Sequence, residues 1–230
     1  MDSGNILFIP TIKKSSAIHR VEFGCLKRAY ALNVTRGCGF NCVYCYARGY
    51  AIAPKKGTVF IYENLPLLVQ KEIKYLTSNL IIFNTASDCF QNHPKVLEIT
   101  YKVMEIILKN KLHLSFLTKG IVPEYFKGLF CRYKSQIHAA IDVVSLDKDY
   151  CHLFEPNAPM GKIRLEGARK LLKWGIDVKV RIDPLIPFFS DTRQNIDTIL
   201  SHLKRIGIKK INVNYLHLRP RILDNLKNEL

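Results

Sequence analysis

The sequence predicts an α/β fold, a partial (β/α)6 barrel of parallel strands in a single domain. Three observations carry this. Six short apolar runs of strand length recur along 230 residues. Five amphipathic segments of helical length separate them in strict alternation, the pattern of right-handed β-α-β crossovers. Polar residues collect just after each apolar run, where a parallel sheet gathers its site.

The first strand is expected at Tyr30–Thr35. A helix follows at about 63–77, then a second strand over Asn79-Leu-Ile-Ile-Phe-Asn84, an uninterrupted apolar run suited to a strand buried on both faces. Pro94, after Asn92-His93, is placed to open a helix over 94–109. Leu112–Leu117 gives the third strand, 122–133 a helix, and Ile137–Val144 the fourth strand. A helix over 164–175 ends at Gly175, and Ile176–Ile182 is the fifth strand. Ser190-Asp191 can cap a helix over 190–206 that stops at Gly207, before the sixth strand, Ile208–Val213. Six units rather than eight leave a partial, TIM-like barrel or a curved open sheet. Residues 30–213 form this core, 1–29 an N-terminal lead-in, and 214–230 a basic C-terminal tail.

Between the first strand and first helix lies Cys38-Gly-Phe-Asn-Cys42-Val-Tyr-Cys45. Three thiolates can hold a cubane iron–sulfur cluster and leave its fourth iron without a protein ligand, open to a small molecule. A structural zinc site wants four ligands, usually as two close pairs. Here no second pair follows, so zinc needs Cys25 or His19 to complete it. Coincidence in a core helix is the third reading. Gly37, Gly39 and Asn41 oppose it, because each favours turn backbone. The seven cysteines, four of them scattered singly, do not suggest a disulfide framework.

No apolar run approaches the roughly 18 residues of a membrane span. The first residues, Met-Asp-Ser-Gly-Asn, lack the pattern of a secretory signal, so the expected address is the cytoplasm, with no membrane partner. The net charge of +16 is uneven: residues 1–56 carry nine Lys and Arg against two acids, and residues 202–230 seven against two. Clustered cations attract polyanions, so DNA or RNA is an expected substrate. Against this, 23 of the 35 cations are lysine, whereas phosphate recognition favours arginine.

Five segments carry a family likeness: Asn33-Val-Thr-Arg-Gly-Cys38, Cys42-Val-Tyr-Cys-Tyr-Ala-Arg48, Thr85-Ala-Ser-Asp88, Leu117-Thr-Lys119 and Glu155-Pro-Asn-Ala-Pro159. Together with the six-fold alternation, they resemble the radical S-adenosylmethionine (SAM) enzymes. Within these the sequence is most similar to the group of spore photoproduct lyase and its photolyase-like relatives. The resemblance extends from about residue 15 to about residue 220. It implies a [4Fe–4S] cluster on Cys38, Cys42 and Cys45. It also implies SAM, cleaved reductively to a 5′-deoxyadenosyl radical that takes hydrogen from substrate, and an external electron donor of flavodoxin or ferredoxin type.

By the same resemblance Tyr44 lies against SAM, Ser87 and Lys119 hold its methionine end, and Ser145 contacts its ribose. Asp88 and Asp183, on the same rim, join this set. Tyr46 returns hydrogen to the cofactor radical. Glu155, from its place on the expected rim, is expected to contact substrate. One departure is clear. Where the lyase has a cysteine that donates hydrogen, this sequence has Thr85, whose O–H is a poor donor. Cys89 could serve only if its side chain faces the cavity. The leading expectation is therefore a lyase-like or other radical-based enzyme acting on nucleic acid or nucleotide, with DNA repair as one form. The alternatives are a radical SAM enzyme modifying a peptide, protein or small metabolite, and a non-catalytic, metal-containing nucleic-acid-binding protein.

Overall fold

Residues 6–21 and 29–229 are described in the computed structural model of the protein. The first four strands are β1 (Leu7–Thr11), β2 (His19–Arg20), β3 (Tyr30–Leu32) and β4 (Thr35–Arg36). The cysteine loop leads to β5 (Thr58–Tyr62), α1 (Leu65–Glu72), β6 (Leu80–Phe83) and α2 (Pro94–Lys109). Next come β7 (His113–Thr118), α3 (Lys127–Arg132), β8 (Ile137–Asp142), α4 (Lys148–Phe154) and α5 (Gly161–Lys173). The chain continues through β9 (Asp177–Leu185), α6 (Arg193–Ile206), β10 (Ile211–Tyr215) and α7 (Pro220–Glu229).

The main sheet has the order β10-β9-β8-β7-β6-β3-β2. Its six strands from β3 to β10 run parallel, and the two-residue β2 is antiparallel to β3 at one edge. The two edge strands do not pair with each other, so the barrel is open. The central strands are the expected apolar runs: in β8, five of six residues are buried. Helix α2 begins at Pro94 and buries Val96, Ile99, Val103, Met104 and Ile107, the i, i+3, i+4 stripe that packs a helix on a sheet.

Several boundaries differ from expectation for local reasons. The first strand stops at Leu32 because the Asn33 side chain turns to the β6 loop, accepting from Ala86 N at 2.9 Å. The chain then enters a second, three-stranded sheet, order β1-β5-β4. Thus the N-terminal lead-in contributes β1 and β2, and the C-terminal tail contains α7. The cap of α6 is Thr192, whose hydroxyl accepts from Asn195 N, rather than Ser190 or Asp191. Those two instead tie the preceding loop, to Ile186 N and Phe188 N respectively. Gly175 and Gly207 follow their helices with φ of +80° and +83°, as the sequence predicts. Among the described residues no helix is long and apolar enough to cross a membrane.

Most buried apolar side chains form one core between the sheet and its helices. A smaller one, with Tyr44, Val144, Tyr150, Phe154 and Ile186, lies behind the cysteine loop and includes half-buried Cys42 at its edge.

Candidate active site

The cysteine loop leaves β4 through a turn that only glycine can make. Gly37 has φ of +90°, and a Cβ there would stand 2.5 Å from the Thr58 carbonyl oxygen. Two distant side-chain amides then take hold of Gly39. Gln91 Oε1 accepts from its N–H at 2.6 Å, and Asn157 Nδ2 donates to its carbonyl at 3.1 Å. Gln91 is buried, and its Nε2 also donates to Thr35 Oγ1 and the Asp88 carbonyl. Val43 N donates to the Phe154 carbonyl, so the loop is fastened to both the β6 and the α4–α5 segments.

Cys38, Cys42 and Cys45 are free thiols that border one cavity of about 540 Å³. Burial pushes the Cys38 and Cys42 thiols up, a cost that a bound metal group removes by supplying positive charge. Among the described residues no three His, Cys, Asp or Glu side chains are gathered so as to hold a metal ion. Three thiols that border one cavity are the ligand set that a cluster with one open iron requires. His19 borders the same cavity, and Cys25 lies outside the described residues.

The cavity wall is strongly basic. Lys13, Arg36, Arg48, Lys55 and Lys56 line it, and among the described residues no aspartate or glutamate does. Arg48 and Lys56 are met from α7 by Glu229, at 2.5 Å and 2.6 Å. Asn33, Thr85 and Ala86, from the ends of β3 and β6, complete the inner wall.

Behind Cys42 lies a buried ionic group. Lys119 Nζ is 2.6 Å from Asp142 Oδ2, 3.7 Å from Glu155 Oε1, and 5.5 Å from the Tyr44 ring centre. The Tyr44 hydroxyl donates to Glu155, which is also paired with Arg164. Arg164 donates further to the Pro159 and Asp142 carbonyls, at 2.5 Å and 3.1 Å. Burial opposes ionisation of Glu155, but Arg164 and then Lys119 hold its carboxyl below the usual range. Burial raises the Asp142 carboxyl to about 6 against the pull of Lys119, and Asp142 Oδ1 is buried without a partner. Lys119 and Asp142 are thus paired with each other, and neither lines the cavity that the cysteines border.

The other sequence-predicted site residues fall into two groups. Tyr46 stays near the cavity: it is 46% exposed, and its hydroxyl donates to the carbonyl of Thr85, a lining residue. Ser87 sits beside Asn33 and Asn84, with Oγ 3.4 Å from each side-chain oxygen. The rest are engaged structurally. Asp88 accepts from Phe90 N, Thr118 Oγ1 and Lys119 N, which pins the β6 loop to the end of β7. Ser145 is buried and donates to Asn195 Oδ1, so it ties the β8 loop to α6 rather than offering itself to a ribose. Asp183 pairs with Arg181 and accepts from Asn214 Nδ2 at 3.2 Å. Tyr44 is buried, with its hydroxyl on Glu155.

Cys89 requires a plain correction: it is 0% exposed within the main core, so it cannot face the cavity as a hydrogen donor. Glu155, expected to meet substrate, is buried beneath the cysteine loop. Sequence reasoning missed Gln91, Arg164 and Asp142 altogether. Asn33 and Asn157 stood inside the family-like segments, which was the available signal.

A model of the radical SAM superfamily matches residues 32–200. An uncharacterized protein of Acidianus two-tailed virus is 24% identical, over 96% of this chain and 79% of that protein. An uncharacterized protein of Methanocaldococcus jannaschii is 29% identical, over 70% of this chain and 62% of that protein. A solved variant of spore photoproduct lyase matches with a TM-score of 0.75 at 17% identity, over 96% of this chain. Another, with bound AdoMet and dinucleoside spore photoproduct, gives 0.73 at 16% identity. SuiB of Streptococcus suis bound to S-adenosylmethionine gives 0.57 at 8%, over 98% of this chain. At these identities the structural likeness is one of fold. This chain spans 66% of the length of either lyase chain.

Proposed function

The chain belongs to the radical SAM superfamily and is an enzyme of that class, and on this premise we propose that it acts on nucleic acid or a nucleotide-like substrate. In this reading Cys38, Cys42 and Cys45 hold a [4Fe–4S] cluster. With SAM bound, that cluster supplies reductive cleavage of the cofactor and hydrogen abstraction from substrate. For the methionine end of SAM this reading keeps Ser87 and Lys119, the latter having to give up its pairing with Asp142. Tyr46, whose phenol donates to the carbonyl of cavity-lining Thr85, returns hydrogen at the end of the cycle. The electron comes from an external flavodoxin- or ferredoxin-type protein.

One observation carries the substrate class. Among the described residues, the cavity bordered by the three cysteines is lined by five Lys and Arg side chains and by no carboxylate. A cavity of one sign concentrates ligands of the other, and phosphates are the anions that a nucleic acid offers. The lyase variant with bound dinucleoside spore photoproduct adds support by likeness of fold. Repair of that lesion is the narrower form of the proposal. With Cys89 in the core, it requires a hydrogen donor other than a cysteine at that position.

The test is anaerobic reconstitution with iron and sulfide, followed by dithionite, SAM and an assay for 5′-deoxyadenosine. We expect cleavage in the wild type, and neither brown colour nor cleavage in Cys42→Ala; retention of both by the variant would sink the cluster assignment. A gel shift with a single-stranded oligonucleotide, weakening as salt rises, tests the substrate class. No shift even at low salt would turn the reading to a peptide, protein or small metabolite.

A further inference from the structure

The three-stranded sheet β1-β5-β4 sets two cations over two aromatic rings. Phe60 and Tyr62 stand two residues apart on β5, so they share one face at a spacing of about 6.6 Å along the strand. Arg36 is directly opposite Phe60 in the antiparallel pair of β4 and β5, with its guanidinium carbon 4.5 Å from the ring centre. Lys13, just past the end of β1, holds its Nζ 4.7 Å from the centre of the Tyr62 ring. Arg36, Lys13 and Tyr62 all line the cavity that the three cysteines border, and Arg36 stands two residues before Cys38.

The cations of this wall are not equally committed. Arg48 and Lys56 are both met by Glu229. Among the described residues, Arg36 Nε is buried without an acceptor, a donor that calls for a partner the chain itself does not supply. Stacking on Phe60 holds the guanidinium by its face, while its N–H donors all lie in its plane, so the stack fixes the fork without spending it. Lys13 is set as firmly, because the Asn64 side chain clamps its peptide. Asn64 Oδ1 accepts from Lys13 N at 2.8 Å, and Asn64 Nδ2 donates to the Lys13 carbonyl at 3.0 Å. Lys13 Nζ donates to Ser15 Oγ at 2.9 Å, a neutral partner that leaves the charge uncompensated.

We propose that Arg36 and Lys13 form a phosphate clamp for a single nucleic-acid strand: Arg36 binds one phosphodiester through its fork, and Lys13 takes the next phosphate along. This rests on the reading of nucleic acid as the substrate, and it adds where the strand runs, over β5 and beside Cys38. The spacing of the two rings matches one nucleotide step of an extended strand. A cavity of about 540 Å³ has room for a nucleotide unit but not for a duplex. Cations that track a backbone beside aromatic side chains are the general equipment of single-strand sites. A planar fork matches the paired oxygens of a phosphodiester and an ammonium does not, so lysine is a poor substitute at position 36.

The experiment measures binding of a short fluorescent oligothymidylate to the reconstituted protein by anisotropy, over a range of salt. We expect Arg36→Met to bind about 10-fold more weakly or worse, with a slope of log K against log salt shallower by about 0.7, the loss of one phosphate contact. Lys13→Met should lose about 0.7 of slope on its own, and the double variant about 1.4. Arg36→Lys should keep the wild-type slope and still bind more weakly, because it keeps the charge and loses the fork. No binding by the wild type even at low salt would overturn the nucleic-acid reading and the clamp together. Binding by the wild type, with unchanged affinity and slope in Arg36→Met and Lys13→Met, would overturn the clamp alone. Wild-type affinity in Arg36→Lys would refute the fork. Thymidine monophosphate and a duplex of the same length are the competitors: if either displaces the oligomer at equal concentration, the pair does not hold a single strand. If Arg36→Met fails to fold, Arg36→Lys and Lys13→Met decide between the same outcomes.

Discussion

Arg164 is the side chain on which the underside of the site turns. It is fully buried, and its guanidinium spends donors on Glu155, on the Pro159 carbonyl and on the Asp142 carbonyl. A buried pair of this kind need not be worth much against an apolar replacement of both partners. Removal of one partner is another matter, since it strands a charge. Glu155 keeps Lys119 at 3.7 Å, but Lys119 is already committed to Asp142 at 2.6 Å. Arg164→Leu should therefore destabilise the fold by about 3–5 kcal/mol, read as a shift of the urea midpoint at unchanged slope. Adding Glu155→Gln to that variant should restore part of the loss, because the stranded charge is gone. A loss under about 1 kcal/mol in the single variant would mean that Glu155 already has enough partners without Arg164.

At the scale of elements, Glu72 at the end of α1 fastens the segment before β2 to the rest of the fold. Its carboxylate accepts from Ala17 N, Ile18 N and Ser16 Oγ at 2.7 to 3.0 Å. Ser16 and Ala17 line the cavity, so this one carboxylate shapes its outer wall. Burial works against ionisation of Glu72, yet the two amides and the hydroxyl hold its pKa below the ordinary value. A depressed carboxylate stabilises the folded form above its unfolded pKa, roughly 4.3, and that contribution fades as pH falls through the folded value. Hydrogen exchange at Ala17 and Ile18, corrected for intrinsic rate, should be slow at pH 5 to 7 and speed up below about 4. Glu72→Gln should exchange faster at pH 7 and show little of that pH dependence. A wild-type profile flat down to pH 3 would refute the anchor.

The elements that sequence reasoning found are those whose burial is decided by their own residues. The parallel strands β3 and β6 to β9 read as apolar runs and α2 spans the expected 94–109, whereas the sixth, β10, is exposed throughout and starts three residues later than expected. The strands β1, β4 and β5 did not show, because their pairing is settled by which partner is near, and β5 pairs with β1 from 51 residues upstream. The seven-residue α4 was too short to print a helical period. The site follows the same division. Cysteine spacing survives any loop conformation, whereas the aim of a loop side chain does not. Cys89 therefore points into the core one residue after Asp88, which serves the loop, and Ser145 turns to Asn195.

The whole molecule carries +16, but charge matters to function by where it collects. Lys13, Arg36, Arg48, Lys55 and Lys56 come from the N-terminal quarter of the sequence and converge on the cysteine cavity. The far end of the chain answers them: α7 packs on residues 46–49, Arg221 donates to the Gly49 carbonyl at 3.3 Å, and Glu229 binds Arg48 and Lys56. Glu229 thus competes with any phosphate for two of the five cations. Partly exposed ion pairs are each worth about 0.2–1 kcal/mol, so Glu229→Gln should tighten binding of a single-stranded oligonucleotide by roughly 2- to 10-fold at low salt. The same variant should steepen the fall of log K with log salt, by up to about 0.7 for each phosphate newly neutralised. The double variant Lys55→Gln/Lys56→Gln should do the opposite, binding more weakly with a slope shallower by about 0.7 per lost contact. Opposite displacements from the wild-type line place the polyanion in this cavity. If the lysine double variant and Glu229→Gln both lie on that line, the polyanion is held elsewhere, and the basic wall serves some smaller anion.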